Sequence, residues 1–233
     1  MTADFDRYQE SYTAEVDRAI AFARTDADFF AELKATDLVA LSNRHFGAAA
    51  QVNALDFGCG TGVIDALVAP SLAGVVGVDV SSGLLEAAAR ANPGIEYQQY
   101  DGRTIPYADD RFDLGFAACV FHHIEPDERP GAAAELARVV RPGGLVVIYE
   151  HNPLNPLTRV AVSRCEFDEG VELLSRGETK SLLQRAGLEP IESRYIAFFP
   201  WRGRRLRALE HGLGKLPLGG QYMVGAVKAK EPS

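Results

Sequence analysis

Three glycines at alternate positions form the most distinctive short motif of this 233-residue sequence. In the stretch LDFGCGTGVIDAL, residues 55–67, an apolar run leads into Gly58, Gly60 and Gly62, and a helical pattern follows at once. Glycine permits unusual backbone angles and the close approach of a ligand, and the N-terminus of a helix presents unpaired N–H groups. The motif therefore predicts a ligand-binding turn between a strand and a helix.

The spacing of these glycines argues against two common phosphate-binding loops. A dinucleotide fingerprint requires glycine at position 63, where this chain has Val63, and no Lys-Ser/Thr pair follows as in a P-loop. Residues 45–89 contain neither lysine nor arginine, whereas Asp56, Asp79 and Asp101 each end an apolar run. An acidic rim of this kind disfavours a polyphosphate and favours a ligand with a sulfonium, an ammonium and a ribose diol.

Candidate general bases follow two further apolar runs. His122 and His123 come after FDLGFAACVF, and His151 comes after GGLVVIYE with Glu150 beside it. Imidazole titrates at about pH 6.5, which suits proton transfer to or from a hydroxyl or an acidic carbon. The alternatives are that one histidine of the pair packs under the next helix and that Glu150 only caps a loop.

The elements that position these residues follow from the rhythm of the chain. Five short apolar runs, VNALDFG, GVVGVDV, IEYQQYD, FDLGFAACVF and GGLVVIYE, alternate with helical patterns at residues 61–68, 82–91 and 127–140. Such alternation indicates a parallel sheet covered on both faces. RPGG at 141–144 is expected to turn before the fifth strand, and a helix at 178–186 and strands at 188–199 and 221–228 complete the pattern.

These elements predict an α/β, Rossmann-like fold. We expect a seven-stranded, mostly parallel sheet with an antiparallel final edge strand, helices on both faces and an N-terminal helical cap. The chain is expected to form a single domain over residues 1–233, with the cap at 1–48, a cofactor-binding core at 49–151 and a C-terminal half with substrate-side inserts at 152–233.

Composition limits the partners and the compartment. The net charge of -8 argues against nucleic acid as a partner. Acidic residues stand where a signal peptide would be apolar, and no run approaches the ~18 apolar residues of a membrane span, so we expect a cytoplasmic protein without integral membrane contact. Cys59, Cys119 and Cys165 are odd in number and far apart, so neither disulfides nor a metal site is expected, and Cys59 and Cys119 are interpreted as small apolar groups.

Residues 52–150 contain five motifs in the order LDFGCGTG, GVDVS, QYDG, FDLGFAACVFHHI and RVVRPGGLVVIYE. This series resembles the successive motifs of class I S-adenosylmethionine-dependent methyltransferases. The segments GLEPIESRYIAFFP and QYMVGAVK resemble the sixth and seventh strands of that family. The resemblance implies S-adenosylmethionine as the cofactor and a small-molecule acceptor.

The resemblance also implies how the methionine part of the cofactor is held. Gly58, Gly60 and Gly62 would surround it, with backbone groups near Asp56 meeting its ammonium or carboxylate. Cys119, at the end of the fourth strand, would offer its backbone carbonyl to the ammonium. Capping of the glycine turn is the alternative for Asp56.

Three further residues would bind the nucleoside part by the same resemblance. Asp79 would accept hydrogen bonds from both ribose hydroxyls. Asp101 would meet the adenine amino group, and the Gly102 N–H would lie beside the ring. A helix cap is the alternative for Asp79, and a loop contact is the alternative for Asp101.

Acceptor selectivity is expected outside the sheet. Tyr8 and Tyr12, one helical turn apart, are candidates for a lid, with plain helix packing as the alternative. Asn152 and Arg159 in the Asn-Pro-rich segment are candidates to contact the acceptor. The arginine cluster at residues 202–207 fits an anion or an anionic surface, or else a solvated helix face.

The leading functional prediction is methyl transfer to a small molecule, with oxygen as the acceptor atom. Nitrogen or carbon methylation of a secondary metabolite, lipid or glycan is the alternative. From other classes, a nucleotide-dependent oxidoreductase and a non-catalytic cofactor-binding protein are also considered. The acceptor, the base and the oligomeric state stay open at this point.

Overall fold

A computed structural model of the chain describes residue 18, residues 26–199, residue 210 and residues 212–230. Tyr8, Tyr12 and the arginine cluster at 202–207 lie outside these residues, so their predicted roles stay predictions. None of the helices in the described part has the length and apolar character that crossing a membrane requires.

Seven strands in the described part form one sheet in the order β3-β2-β1-β4-β5-β7-β6. The five strands β1 to β5 are parallel, and β7 runs antiparallel to both of its neighbours, β5 and β6. The predicted fold class is therefore confirmed; the antiparallel final strand lies one place inside the edge, and β6 forms the edge itself. The strands are β1 Asn53–Phe57, β2 Gly74–Asp79, β3 Glu96–Gln99, β4 Phe112–Ala118, β5 Val140–His151, β6 Leu188–Ile196 and β7 Gln221–Lys228.

Helices flank the sheet close to the predicted positions. Ser81 caps one of them by accepting a hydrogen bond from the Leu84 N–H at 3.1 Å, and Ser175 and Glu178 form a capping box on another. The described helices are α1 Ala27–Phe46, α2 Val63–Val68, α3 Ser82–Ala91, α4 Arg129–Val139, α5 Pro156–Val162 and α6 Arg176–Arg185, and short 3-10 turns lie at Ala49–Gln51, Ala69–Ser71, Phe121–His123 and Glu166–Asp168.

The RPGG segment does not turn before the fifth strand, so this prediction is wrong. Phe112 of β4 pairs with Val140 and Leu114 pairs with Leu145, so β5 carries three extra residues between the two pairs. Gly143 adopts a φ of 77°, which glycine tolerates, and Pro142 has no N–H to leave unpaired. The segment is thus a bulge inside a continuous strand.

Both faces of the sheet are buried. Val146 and Ile148 of β5 belong to the apolar cluster under α4 and α6, whereas Val147 and Tyr149 belong to the cluster on the opposite face. Helix α1 contributes Leu38 and other side chains to that second cluster. Because both faces are covered, we expect a ligand to bind at the carboxyl edge of the sheet, beside the point where strand order reverses between β1 and β4.

The glycine loop joins β1 to α2 at this edge. Gly58, Gly60 and Gly62 have φ angles of 76°, 55° and 72°, all in the left-handed region. The Gly58 N–H donates to the Val78 carbonyl of β2 at 2.8 Å. A Cβ at position 58 would lie 2.6 Å from Val120 Cγ2, so a side chain there meets both backbone strain and a steric clash.

We predict that Gly58→Ala lowers the free energy of unfolding by about 1–3 kcal/mol, because alanine must adopt a strained φ against Val120. Gly94→Ala is the matched control, since a Cβ there meets no atom within 4 Å, and its effect should stay within about 0.5 kcal/mol. Urea unfolding measures both. Equal effects would show that the loop is not held in this conformation.

Candidate active site

A cavity of about 220 Å³ opens at the carboxyl ends of β1, β4 and β5. It brings together seven residues that the sequence singled out and several polar residues that it did not. The predicted residues in its lining are Asp56, Gly58, Gly60, Cys119, His122, His123 and His151, and the additional polar residues include Lys34, Thr61, Asp168 and Gln221.

Asp79 holds the glycine loop from the end of β2. One carboxylate oxygen accepts a hydrogen bond from the Gly60 N–H at 2.9 Å, and the other accepts from the Ser81 N–H at 3.0 Å. The side chain is nearly buried. Asp79 therefore sets the shape of the loop and carries negative charge next to it.

Asp101 and Gly102 lie outside the cavity lining. Asp101 Oδ1 accepts hydrogen bonds from the Arg103 and Thr104 N–H groups, both at 2.8 Å. These two bonds lower the pKa of the exposed Asp101 carboxyl. The residue caps its own loop, and its contact with an adenine ring stays a prediction.

The other predicted residues also lie outside the lining. The Gly62 carbonyl accepts from Asn92 Nδ2 at 3.1 Å, so this glycine starts α2 rather than facing the cavity. Asn152 is buried, and its amide donates to the carbonyls of Pro217 and Gly219 at 3.1 and 2.7 Å. The amide of Asn152 is thus engaged with backbone rather than presented to an acceptor, and Arg159 is exposed on α5.

Two buried carboxyl groups lie beneath the loop. Burial raises the pKa of Asp56 well above its usual range, and the Asp65 carboxyl of α2 adds to the shift. Burial also raises the pKa of Asp65, to about 6. Burial and the neighbouring carboxyl group therefore both disfavour a negative charge on Asp56.

Lys34 of α1 brings a positive charge to the end of β4. Its side chain is buried, and its Nζ donates to Cys119 Sγ at 3.4 Å, while Gln221 Nε2 donates to the same sulfur at 3.5 Å. Burial alone would raise the pKa of the Cys119 thiol, but Lys34 and His151 outweigh it and lower the pKa to about 7. The thiol thus lies between two polar side chains rather than in the apolar surroundings expected from the sequence.

A histidine cluster occupies the acceptor side of the cavity. His122 Nδ1 lies 2.6 Å from Glu150 Oε2, and its ring centroid lies 4.1 Å from that of His123 and 5.0 Å from that of His151. Asp168 Oδ1 lies 3.4 Å from His122 Nε2 and 3.3 Å from His123 Nε2. Glu150 thus orients His122 rather than merely capping a loop.

The charges of this cluster separate the three candidate bases. Burial disfavours a charged His122, but Glu150 and Asp168 outweigh it and raise the pKa of His122 to about 10. Burial and the neighbouring His122 charge lower the pKa of His123 to about 3. His122 is thus held protonated by its carboxylate neighbours, and His123 is a weak base. Burial disfavours a charged His151, but the neighbouring Cys119 outweighs it and raises the pKa of His151 above its usual value.

Lys34 and Asp168 were missed by the sequence analysis. Lys34 had a detectable signal, because it stands at helical spacing from the buried Leu38 and Leu41 on the apolar stripe of α1. Asp168 had none, since it lies in an irregular segment 45 positions after His123 in the chain.

Comparisons with known proteins show which sequences and folds this chain resembles. Residues 55–148 match the family model described as a methyltransferase domain. The chain is 39% identical over 110 residues to a demethylmenaquinone methyltransferase of Clavibacter sepedonicus, covering 45% of this chain and 44% of the relative. It is 32% identical over 126 residues to a ubiquinone/menaquinone biosynthesis C-methyltransferase of Desulfotalea psychrophila, covering 52% and 50%. The chain thus spans about half the length of the curated relatives it matches.

A solved structure shows the same fold over most of the chain. A SAM-dependent methyltransferase from Thermotoga maritima superposes with a TM-score of 0.68 at 18% identity, covering 96% of this chain and 98% of its own. Methyltransferases of this fold generally use S-adenosylmethionine. In its motifs, its sheet order and the domain matched at residues 55–148, this chain is similar to class I S-adenosylmethionine-dependent methyltransferases.

Proposed function

We propose that this protein transfers a methyl group from S-adenosylmethionine to a small-molecule acceptor. The observation that carries the proposal is the single cavity whose lining runs from the glycine loop to the histidine cluster. A methyl donor held by the loop and an acceptor held by the histidines would meet inside it.

The residues at the loop end fit this cofactor. The bound cofactor supplies a methyl group on a positively charged sulfur, so the chemistry needs no further activation of the donor. Lys34 offers a buried cation for the methionine carboxylate, and the Asp79 carboxylate offers acceptors for the ribose hydroxyls. Gly58 and Gly60 let the backbone approach the ligand without a side chain in between.

The surroundings of Lys34 support the same assignment. Burial raises the pKa of Asp56, the carboxyl group beneath the loop, and so weakens its ion pairing with the Lys34 cation. Lys34 Nζ instead donates a hydrogen bond to the Cys119 sulfur. Sulfur is a weaker hydrogen-bond acceptor than a carboxylate, so a ligand carboxylate can replace it. The carboxylate of a bound amino-acid ligand would thus form a stronger ion pair with Lys34 than the Cys119 sulfur provides.

At the acceptor end, His151 would remove the proton from an acceptor hydroxyl. Its imidazole lines the cavity next to Cys119 and His122. Exclusion of water and a fixed position of the acceptor are the main contributions that the protein can make to methyl transfer.

We propose oxygen as the acceptor atom, with carbon as the second candidate. The names of two relatives point to quinone biosynthesis, and one of them is named a C-methyltransferase. Carbon methylation of a phenol-like ring also requires a base to remove the acidic hydroxyl proton, so His151 would act as the base in either reaction. Incubation with methyl-labelled cofactor and phenolic acceptors, followed by mass spectrometry, distinguishes an O-methyl from a C-methyl product.

Asp79→Asn should weaken S-adenosylmethionine affinity by at least about 10-fold, or about 1.4 kcal/mol, because the ribose hydroxyls lose a charged acceptor. Isothermal titration calorimetry measures the change. Asp113→Asn is the matched control, because Asp113 also accepts from a backbone N–H, that of Asn53 at 2.8 Å, but at the amino ends of the strands. The affinity of the Asp113→Asn variant for S-adenosylmethionine should equal that of the unmodified protein.

The same titration tests the proposed cofactor against its alternatives. Retention of NADH or ATP with no affinity for S-adenosylmethionine would overturn the proposal and favour an oxidoreductase or another nucleotide-binding protein. Unchanged affinity in Asp79→Asn would overturn the ribose assignment alone.

Alkylation of Cys119 gives an independent test of the cavity. Its rate with iodoacetamide should rise with pH to a midpoint of about 7, since the thiolate is the reactive form. Lys34→Met removes the stabilising cation and should move the midpoint up toward the value of about 8.5 of an unperturbed thiol. S-adenosylhomocysteine should slow the reaction in the unmodified protein by occupying the cavity.

Peptide mass spectrometry identifies the modified cysteine, and Lys180→Met on the exposed face of α6 is the control that should leave the midpoint in place. A midpoint that does not respond to Lys34→Met would contradict the proposed pairing. Alkylation that proceeds equally fast with saturating S-adenosylhomocysteine would place the ligand elsewhere.

A further inference from the structure

We propose that His122, His123 and Asp168 bind a divalent transition-metal ion within the cavity. The three side chains offer one donor atom each, and these atoms all lie within 4.8 Å of one another. Two of the side chains follow β4, and the third arrives from the 3-10 turn Glu166–Asp168. The sequence predicted no metal site, because adjacent histidines and a distant aspartate form no recognisable ligand spacing.

The two distances from Asp168 to the histidines are longer than charge-assisted hydrogen bonds and match the spacing of metal ligands. Asp168 Oδ1 lies 3.4 Å from His122 Nε2 and 3.3 Å from His123 Nε2. Charge-assisted hydrogen bonds are usually about 2.7–2.9 Å long. In a tetrahedral zinc site with bonds of about 2.0–2.1 Å, neighbouring donor atoms are about 3.3–3.4 Å apart.

Two buried atoms of the cluster lack hydrogen-bond partners. Within the described residues, His122 Nε2 and Asp168 Oδ1 are both enclosed and make no hydrogen bond. Leaving a buried polar atom unsatisfied costs about 1–3 kcal/mol, and more for a charged group. A single ion between these atoms would satisfy both.

Glu150 prepares His122 for this role. Its Oε2 lies 2.6 Å from His122 Nδ1 and its Oε1 accepts from the His122 N–H at 3.3 Å, so the ring orientation is fixed. Metal-bound histidines usually donate their other ring N–H to a carboxylate, which fixes the tautomer that ligates through the opposite nitrogen. The Glu150–His122 pair has this arrangement, with Nε2 directed at Asp168.

The donor set indicates the class of ion. Two imidazoles and one carboxylate suit Zn²⁺, Fe²⁺, Co²⁺ or Ni²⁺ rather than Mg²⁺ or Ca²⁺, which prefer oxygen ligands. The two carboxylates of the cluster, Asp168 and Glu150, would balance the charge of the ion once both histidines are neutral. Three protein ligands leave at least one coordination position for an exogenous oxygen.

The open position would give the ion a part in the reaction. All three ligands line the cavity that also holds the glycine loop. A hydroxyl oxygen bound to the ion would be more acidic and fixed in position. This role rests on the proposed function, whereas binding of the ion does not.

Titration of EDTA-treated protein with CoCl₂ tests the site, because tetrahedral Co²⁺ bound by histidine nitrogens absorbs visible light. We expect one equivalent of Co²⁺ to bind and Zn²⁺ to displace it. His123→Asn and Asp168→Asn each remove a ligand and should weaken binding by about 100-fold or more, and Glu150→Gln should weaken it by about 10–100-fold.

His45→Asn is the matched histidine control. Its Nε2 lies 3.0 Å from the Gly143 carbonyl, in the bulge of β5, so its loss should leave Co²⁺ affinity unchanged. Circular dichroism and thermal unfolding of each variant establish that it is folded. A variant that unfolds is replaced by His122→Asn, and the expected loss of affinity is the same.

Failure of the wild-type protein to bind Co²⁺ or Zn²⁺ stoichiometrically would overturn the proposal. Full Co²⁺ binding by both His123→Asn and Asp168→Asn would do so as well. Calorimetry of S-adenosylmethionine with the same proteins keeps this outcome separate from the proposed function, since cofactor affinity should be unchanged in the ligand variants whether or not the ion binds.

Discussion

Charged groups buried at the carboxyl ends of β1, β4 and β5 need partners inside the protein, and this constraint shapes the whole site. An ionised side chain removed from water is costly unless it is paired. Glu150 therefore pairs with His122 at 2.6 Å, and Lys34 reaches the Cys119 sulfur at 3.4 Å. Each pair joins two elements, β5 to the turn after β4 and α1 to the end of β4, so the pairing also fixes the walls of the cavity.

The pairing gives the two ends of the cavity different chemistry. At the loop end, Lys34 lines the cavity, and Asp79 holds the loop from the end of β2 through the Gly60 N–H. At the other end, imidazoles and carboxylates form the cluster that we propose for proton transfer and metal binding. A methyl donor and its acceptor would thus be recognised by separate groups that share one cavity.

The fold and the glycine loop could be predicted because local sequence patterns determine them. The other features depend on contacts between residues that are far apart in the chain. Alternating apolar runs fix the strands, and the glycine spacing fixes the turn that Asp79 holds, because both depend on neighbours in sequence. The RPGG bulge escaped prediction because pairing between β4 and β5 decides whether such a segment turns. Lys34 and Asp168 reach the cavity from α1 and from an irregular segment, and only tertiary packing brings them beside Cys119 and the histidines.

The central claim is that one cavity holds the methyl donor with its sulfur directed at the histidine cluster. A crystal structure with S-adenosylhomocysteine tests this claim most directly. We expect a carboxylate within hydrogen-bond distance of Lys34 Nζ, ribose hydroxyls on Asp79 and a sulfur that faces His151. A nucleoside bound with its sulfur turned away from the histidines, or bound outside this cavity, would contradict it.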